Sequence, residues 1–333
     1  MSLHRRVSSR GRSVVAALAC IFFAGCALLH RTREPEIPPY VEATFARKPF
    51  QTYTIPTPAP GTIPAESVIG TVGTYRVRQG DTFMDVARYF DLGFNEIVEA
   101  NPGIDPWIPP VGTQLVLPTA WVLPCCTYDG LVLNIPEMRL YYYRPGPGGT
   151  TTVITHPVGL GRDDRRTPRG PFTVRGKTVN PTWIIPASIR QEHIKERGDA
   201  RTSIRGGAED NPLGKYRLEL SIAPYSIHGT DIPWGIGMLV SHGCARLYPE
   251  DIARLFPLVP VGTPGQFVYQ PVKIGMRGGA SWLEADEDIY KYRPPLVPRA
   301  VATLRRSGVA ADGAQLRAAI GTSHGVPVKL KPG

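Results

Sequence analysis

The segment "GLVLNIPEMRLYYYRPGPGGTTTVITHPVGLG", residues 130–161, decides the fold. Apolar and aromatic residues alternate through "GLVLNIPEMRLYYYRP", the pattern breaks at "PGPGG", and "TTVITHPVGLG" resumes it. This predicts a strand, a tight turn and a second strand. More strands are expected at "GPFTVRGKTV", "YRLELSI" and "GQFVYQPVKI", with the turn "TPRG" before Pro171 and Phe172 serving as a hairpin connection. Helices are few. The clearest is opened by Pro249, Glu250 and Asp251, whose carboxylates favour a helix N-terminus. The expectation is a mainly β domain over residues 128–272, an antiparallel sandwich or barrel.

On that scaffold stand "IHG" at 227–229 and "VSHGCARLYPEDIARLF" at 240–256. A thiol needs a base or a cation beside it to become a thiolate, and an imidazole near its ordinary pKa can serve in both roles. His228 is the candidate base, at the end of an apolar strand, with Gly229 permitting a sharp turn. His242 lies two residues before Cys244, so an extended strand would point both to one face. Gly243 lets a backbone N–H approach a substrate carbonyl, as an oxyanion site requires. Arg246 suits a carboxylate or phosphate. Ser241 is a candidate substrate contact, and Trp183 and Trp234 are candidates to line a groove. Two histidines and a cysteine also suit zinc, although no Asp or Glu accompanies "SHGC" at ligand spacing. His193, among charges, reads as a solvated helix residue, and His156 as a residue packed in a strand.

Upstream, residues 74–119 change character. A strand "TYRV" leads through Gly80 to Asp81, expected to cap the helix "TFMDVARYF", where Phe83, Val86, Ala87 and Phe90 fall on one face. A second helix "FNEIVEAN" and a closing strand "QLVLP" complete a βααβ unit. With "GDT" at the first turn and "ANPG" after the second helix, it resembles a LysM domain, a binder of N-acetylglucosamine-containing glycans.

Residues 27–64 carry Pro35, Pro38, Pro39, Pro49, Pro56, Pro58, Pro60 and Pro64 and read as a linker. Extended at ~3.1 Å per residue, it would reach on the order of 100 Å. Residues 1–26, with four arginines before "VVAALACIFFAGC", read as a signal peptide too short to span a bilayer comfortably. Its end, "FAGC", resembles a bacterial lipobox, which implies lipidation at Cys26 and a membrane anchor. Ala27 suggests sorting to the outer membrane, and hence a periplasmic protein. The C-terminal extension, 273–333, holds two short helical pieces, "AVATLRR" and "AQLRAAI", and suggests no function.

The chain has 333 residues, 42% apolar, enough for two domains and a sizeable core. Its formal charge is +10 without a basic block interleaved with aromatics, which argues against nucleic acid and suits an acidic polymer or anionic surface. Five cysteines, two of them in the signal and two adjacent at Cys125 and Cys126, suggest no disulfide framework.

Taken together, "HGT" followed by "SHGCAR", with "NIPEMRLYYY", "TPRGPFTV", "NPTWIIPASIR" and "NPLGKY" in order, resembles the YkuD-type L,D-transpeptidase catalytic domain family. The resemblance spans residues 75–270, LysM-like part included. It implies Cys244 as nucleophile and His228 as base, oriented by the Gly229 carbonyl. His242, Gly243 and the Cys244 backbone would shape the acyl site, with Arg246 at the family's arginine position. Ala245 stands where a larger aliphatic residue is usual. The implied substrate is peptidoglycan: a stem tetrapeptide as acyl donor, and a diaminopimelate or a lipoprotein lysine as acceptor, or water in a carboxypeptidase or detaching enzyme. A non-catalytic wall-binding protein would lack the thiol or the base, and both are present. No cofactor is called for.

Overall fold

The computed structural model describes residues 48, 50–59, 61–125, 127–306, 309–310 and 312–331. The expected signal peptide with Cys26, and the linker up to residue 47, lie outside the described residues.

Among the described residues, nine strands form the main sheet. Their spatial order is Thr52–Pro56, Thr150–Pro157, Arg139–Pro145, Gly130–Asn134, Pro264–Val268, Gly170–Val179, Tyr216–Leu220, Ser226–His228 and Ala245–Arg246. Neighbours are antiparallel except at two joints, Gly130–Asn134 with Pro264–Val268 and Ser226–His228 with Ala245–Arg246. The stretch "GLVLNIPEMRLYYYRP", expected as one strand, is therefore a hairpin in itself. Its strand breaks at Pro136 and turns through Met138, which adopts φ 52°, before returning along Arg139–Pro145.

Both faces of this sheet are covered. Leu131, Leu133, Leu140 and Ile154 face one core with Phe172, Leu218, Ile227 and Phe267. Their neighbours Val132, Tyr141, Tyr143 and Val153 face a second core shared with Phe83, Val86, Ala87, Ile97, Leu115 and Trp121. Burial on both faces is why "RLYYY" reads as nearly continuous apolar sequence.

The residues on the second face belong to the βααβ module. Strands Gly73–Arg76 and Gln114–Leu117 pair antiparallel beside helices Phe83–Tyr89 and Phe94–Glu99. Asp81 does not cap the first helix. Thr82 does, in a reciprocal capping box with Asp85, while the Asp81 carboxylate accepts from Arg78 N–H and Tyr75 O–H at 2.7 Å each. The carboxylate, anchored by the preceding strand, is unavailable to the helix one residue on.

The module is not a bead on a string. Thr52–Pro56 precedes it in sequence yet pairs with Thr150–Pro157 beyond it, so the module is spliced into the main sheet. Residues 52–56 of the expected linker are thus an edge strand, where Pro56 is tolerated because one row of donors is unpaired. Just before that strand, Lys48 is buried, with its ammonium 3.0 Å from Asp91 of the module and 2.8 Å from Asp251 of helix Pro249–Leu258. His156 completes this cluster, its Nδ1 3.2 Å from Asp91. Two further ion pairs cross the same boundary: Arg88 to Glu250 at 2.9 Å and Arg139 to Glu96 at 2.8 Å.

The C-terminal extension forms strands Val272–Arg277, Ala280–Ala285 and Val328–Lys329 under helices Leu296–Arg306 and Gly313–Ser323, around its own core. Cys125 is disulfide-bonded, where the sequence suggests no disulfide framework.

Candidate active site

Parallel pairing builds the site. Register sets Ile227 against Ala245 and His228 against Arg246, which brings Cys244 beside Ser226. The period of two then turns Ser226, His228, Cys244 and Arg246 toward one cavity of about 270 Å³. The Cys244 thiol is free and lies 3.5 Å from the Ser226 hydroxyl.

His228 is 3% exposed, and its Nδ1 sits 2.7 Å from the Gly229 carbonyl. A carbonyl only accepts, so Nδ1 carries the proton and Nε2 keeps its lone pair. Burial, then the charges of Arg246 and Arg217, push this imidazole down to about 3, and the Gly229 bond offsets only part of that. The resting imidazole is therefore neutral. Arg246 lines the same cavity, and its Nε has no hydrogen-bond partner. Burial lowers the guanidinium's pKa, while Asp231 and Cys244 oppose that shift.

The loop bearing the thiol departs from an extended strand. Gly243 adopts φ +109°, and a Cβ there would fall 2.5 Å from the Tyr225 ring, so only glycine fits. Its N–H donates to Ser241 Oγ at 3.0 Å, and that hydroxyl donates to the Cys244 carbonyl at 2.6 Å. The Gly243 amide expected at an oxyanion site is thus committed within the turn, and the buried Ser241 hydroxyl holds the loop. His242 lines the same cavity as Cys244, from this turn rather than from an extended strand. Its Nε2 lies 3.0 Å from Glu192 and 3.3 Å from Arg162.

Residues 180–212 form a lid over the cavity. Strands Trp183–Ile184 and Ser203–Ile204 pair beside helix Ala187–Arg197, around a small core of Ile185, Ile189 and Ile204. Trp183 and Ile189 line the cavity. His193 is buried against Trp183, ring centroids 5.9 Å apart, and is not the solvated residue its charged neighbours suggest. Trp234 is 55% exposed on the short turn Pro233–Gly235 and does not line the thiol cavity. That turn directs the ring to solvent.

Sequence reasoning missed Ser226, Arg217, Arg162 and Glu192. The first had a signal, two residues before His228 on the same strand. Arg217 faces His228 across a register that no spacing reveals. Among the described residues, the one group of side chains spaced to hold a metal is Asp91, His156 and Asp251, away from Cys244 and already occupied by the Lys48 ammonium.

A free thiol, a neutral imidazole with a lone pair and a guanidinium with spare donors are equipped for acyl transfer through a thioester. Two family models match the chain, and its sequence relatives share the implied activity in their names. The L,D-transpeptidase catalytic domain family (YkuD) matches residues 129–274, and the LysM domain family matches residues 75–118. A probable L,D-transpeptidase ErfK/SrfK of Salmonella typhimurium is 36% identical over 278 residues, 80% of this chain and 88% of that protein. A probable L,D-transpeptidase YbiS of Escherichia coli is 38% identical over 255 residues, 73% of this chain and 81% of that protein. The solution structure of the catalytic domain of the Enterococcus faecium L,D-transpeptidase aligns with 42% of this chain and 96% of that domain at 22% identity and a TM-score of 0.31. The chain belongs to the L,D-transpeptidase family and is an L,D-transpeptidase with a LysM domain.

Proposed function

We propose that this enzyme transfers acyl groups between peptidoglycan stem peptides, with Cys244 as nucleophile and His228 as base. The observation that carries this reading is the convergence of Cys244, His228 and Arg246 on one cavity, with the His228 tautomer pinned by Gly229. His228 Nε2 takes the thiol proton as Sγ adds to the carbonyl between the third residue of a stem tetrapeptide and its terminal D-alanine. The C–N bond breaks, the leaving nitrogen takes the proton back, and a thioester remains. Arg246 offers donors to the donor peptide's carboxylate. With Gly243 N–H committed to Ser241, the Cys244 N–H is the remaining loop donor for the oxyanion.

An amine then attacks the thioester, its proton passing to His228 and the thiolate leaving. That amine is a second stem's diaminopimelate, giving a cross-link between third residues, or the lysine of a lipoprotein being attached to the wall. The LysM domain supports peptidoglycan as the polymer on which the enzyme works. The sequence "FAGC" supports a periplasmic lipoprotein anchored to the outer membrane through Cys26.

The test is to incubate the enzyme with purified tetrapeptide muropeptides. D-alanine release with new cross-linked dimers, or coupling of a lipoprotein lysine, is expected. Folded wild type that releases no D-alanine overturns the reading.

A further inference from the structure

We infer that Glu192, on the lid helix, is a positioning residue for the acyl transfer proposed above: it sets the tautomer of His242 and latches the lid beside the thiol. The inference rests on that reading of the site, and three elements meet in it. Arg162 belongs to the body, where its N–H donates to the Ser241 carbonyl at 2.9 Å. Glu192 belongs to helix Ala187–Arg197 and takes the Arg162 guanidinium at 2.8 Å on Oε1. His242 belongs to the thiol loop and meets Glu192 Oε2 through Nε2 at 3.0 Å.

The chemistry of the partners decides the proton. A carboxylate only accepts, so the Glu192 contact needs hydrogen on His242 Nε2. A guanidinium only donates, so Arg162, 3.3 Å from the same Nε2, cannot bond to it in that state and instead holds the carboxylate. A ring with one proton then has its lone pair on Nδ1. Without Glu192 the preference reverses: Arg162 would donate to Nε2, and the proton would move to Nδ1. His242 lines both the thiol cavity and the adjoining one of about 550 Å³, so this choice sets whether the ring accepts or donates there. The lid's small core is separate from the main core, so its seating over the thiol depends on bonds such as this one.

The test uses the full chain with ¹⁵N-labelled histidine. Long-range ¹H–¹⁵N correlation should find His242 protonated at Nε2 in wild type and in Glu192→Gln, which keeps an acceptor oxygen, and at Nδ1 in Glu192→Ala. D-alanine release by Glu192→Ala should fall roughly ten- to a hundredfold in kcat, as for a misplaced group near the chemistry, with little change in KM. Glu192→Gln should recover most of that loss. An Nδ1-protonated wild-type ring, an unchanged rate in Glu192→Ala, or a Glu192→Gln as impaired as Glu192→Ala overturns the inference. The ring measurement needs no substrate. Wild type that holds Nε2–H yet releases no D-alanine therefore counts against the transpeptidation reading and leaves the hold of Glu192 on the ring intact.

Discussion

His228 gives its Nδ1–H to the carbonyl of the next residue, Gly229, at 2.7 Å. The bond leaves Nε2 as the only basic atom of the ring, pointing the reactive lone pair without help from a carboxylate. Cys244→Ala should abolish D-alanine release and adduct formation with a carbapenem. His228→Gln should slow acylation by about 10²–10⁴-fold, the usual worth of a positioned base. Intact-mass analysis reads both, with one adduct per wild-type chain, mapped to the peptide holding Cys244. Equal labelling of wild type and His228→Gln would remove His228 from the mechanism.

The pH profile follows from burial of the same ring. An ordinary imidazole titrates near ~6.5, whereas His228 is held down at about 3. The basic form exists above the pKa, so it persists from pH 7 to 5. Carbapenem acylation should show no inflection near ~6.5 that depends on His228. One that vanished in His228→Gln would contradict the burial argument. Stability carries the same sign. The unfolded chain protonates first as pH falls, so the contribution of His228 is complete above its unfolded pKa and is lost as pH drops toward about 3. Between neutral and acid pH, the urea midpoint should therefore fall further for wild type than for His228→Gln.

Arg246 tests recognition of the donor's carboxylate. Arg246→Lys keeps the charge but loses the planar fork, so KM for the donor peptide should rise by roughly tenfold, equivalent to ~1.5 kcal/mol. Steady-state kinetics on a tetrapeptide gives the answer; an unchanged KM would assign Arg246 to the thiolate alone.

Lys48 tests the joint between the domains. Lys48→Met leaves Asp91, Glu250 and Asp251 buried around an apolar tip, and removing one partner from a buried cluster costs about 3–5 kcal/mol. Urea denaturation should register a loss of that order. A change under about 1 kcal/mol would mean that solvent reaches the cluster.

Gly237 tests the contact between the LysM module and the catalytic loop. Phe94 N–H donates to Ile236 O at 3.1 Å, and a Cβ at Gly237 (φ +80°) would fall 2.2 Å from Phe94 N. Gly237→Ala should lower stability by about 1–3 kcal/mol and reduce D-alanine release, whereas Gly278→Ala, where the space is open, should be milder.

Much of the site was legible because catalysis here uses short-range order. "SHGCAR" and "IHG" carry the thiol, the imidazole and the guanidinium within segments whose period of two puts them on one face. Glu192 was not legible, because it reaches His242 from a lid helix 50 residues upstream. The strands were readable where turns punctuate them. The break inside "NIPEMRLYYY" was hidden, because a sheet buried on both faces leaves no polar row to mark it. The splice of the LysM module was invisible for a related reason: a five-residue edge strand set among prolines has the composition of a linker.

That splice fixes more than packing. A module whose two ends both run into one sheet, and whose backbone bonds to the loop before the thiol, cannot swing on a hinge. The enzyme is a caliper with its jaws locked: whatever chain lies along the LysM surface meets the thiol at a set offset, and the choice of reaction point becomes a matter of length as well as chemistry.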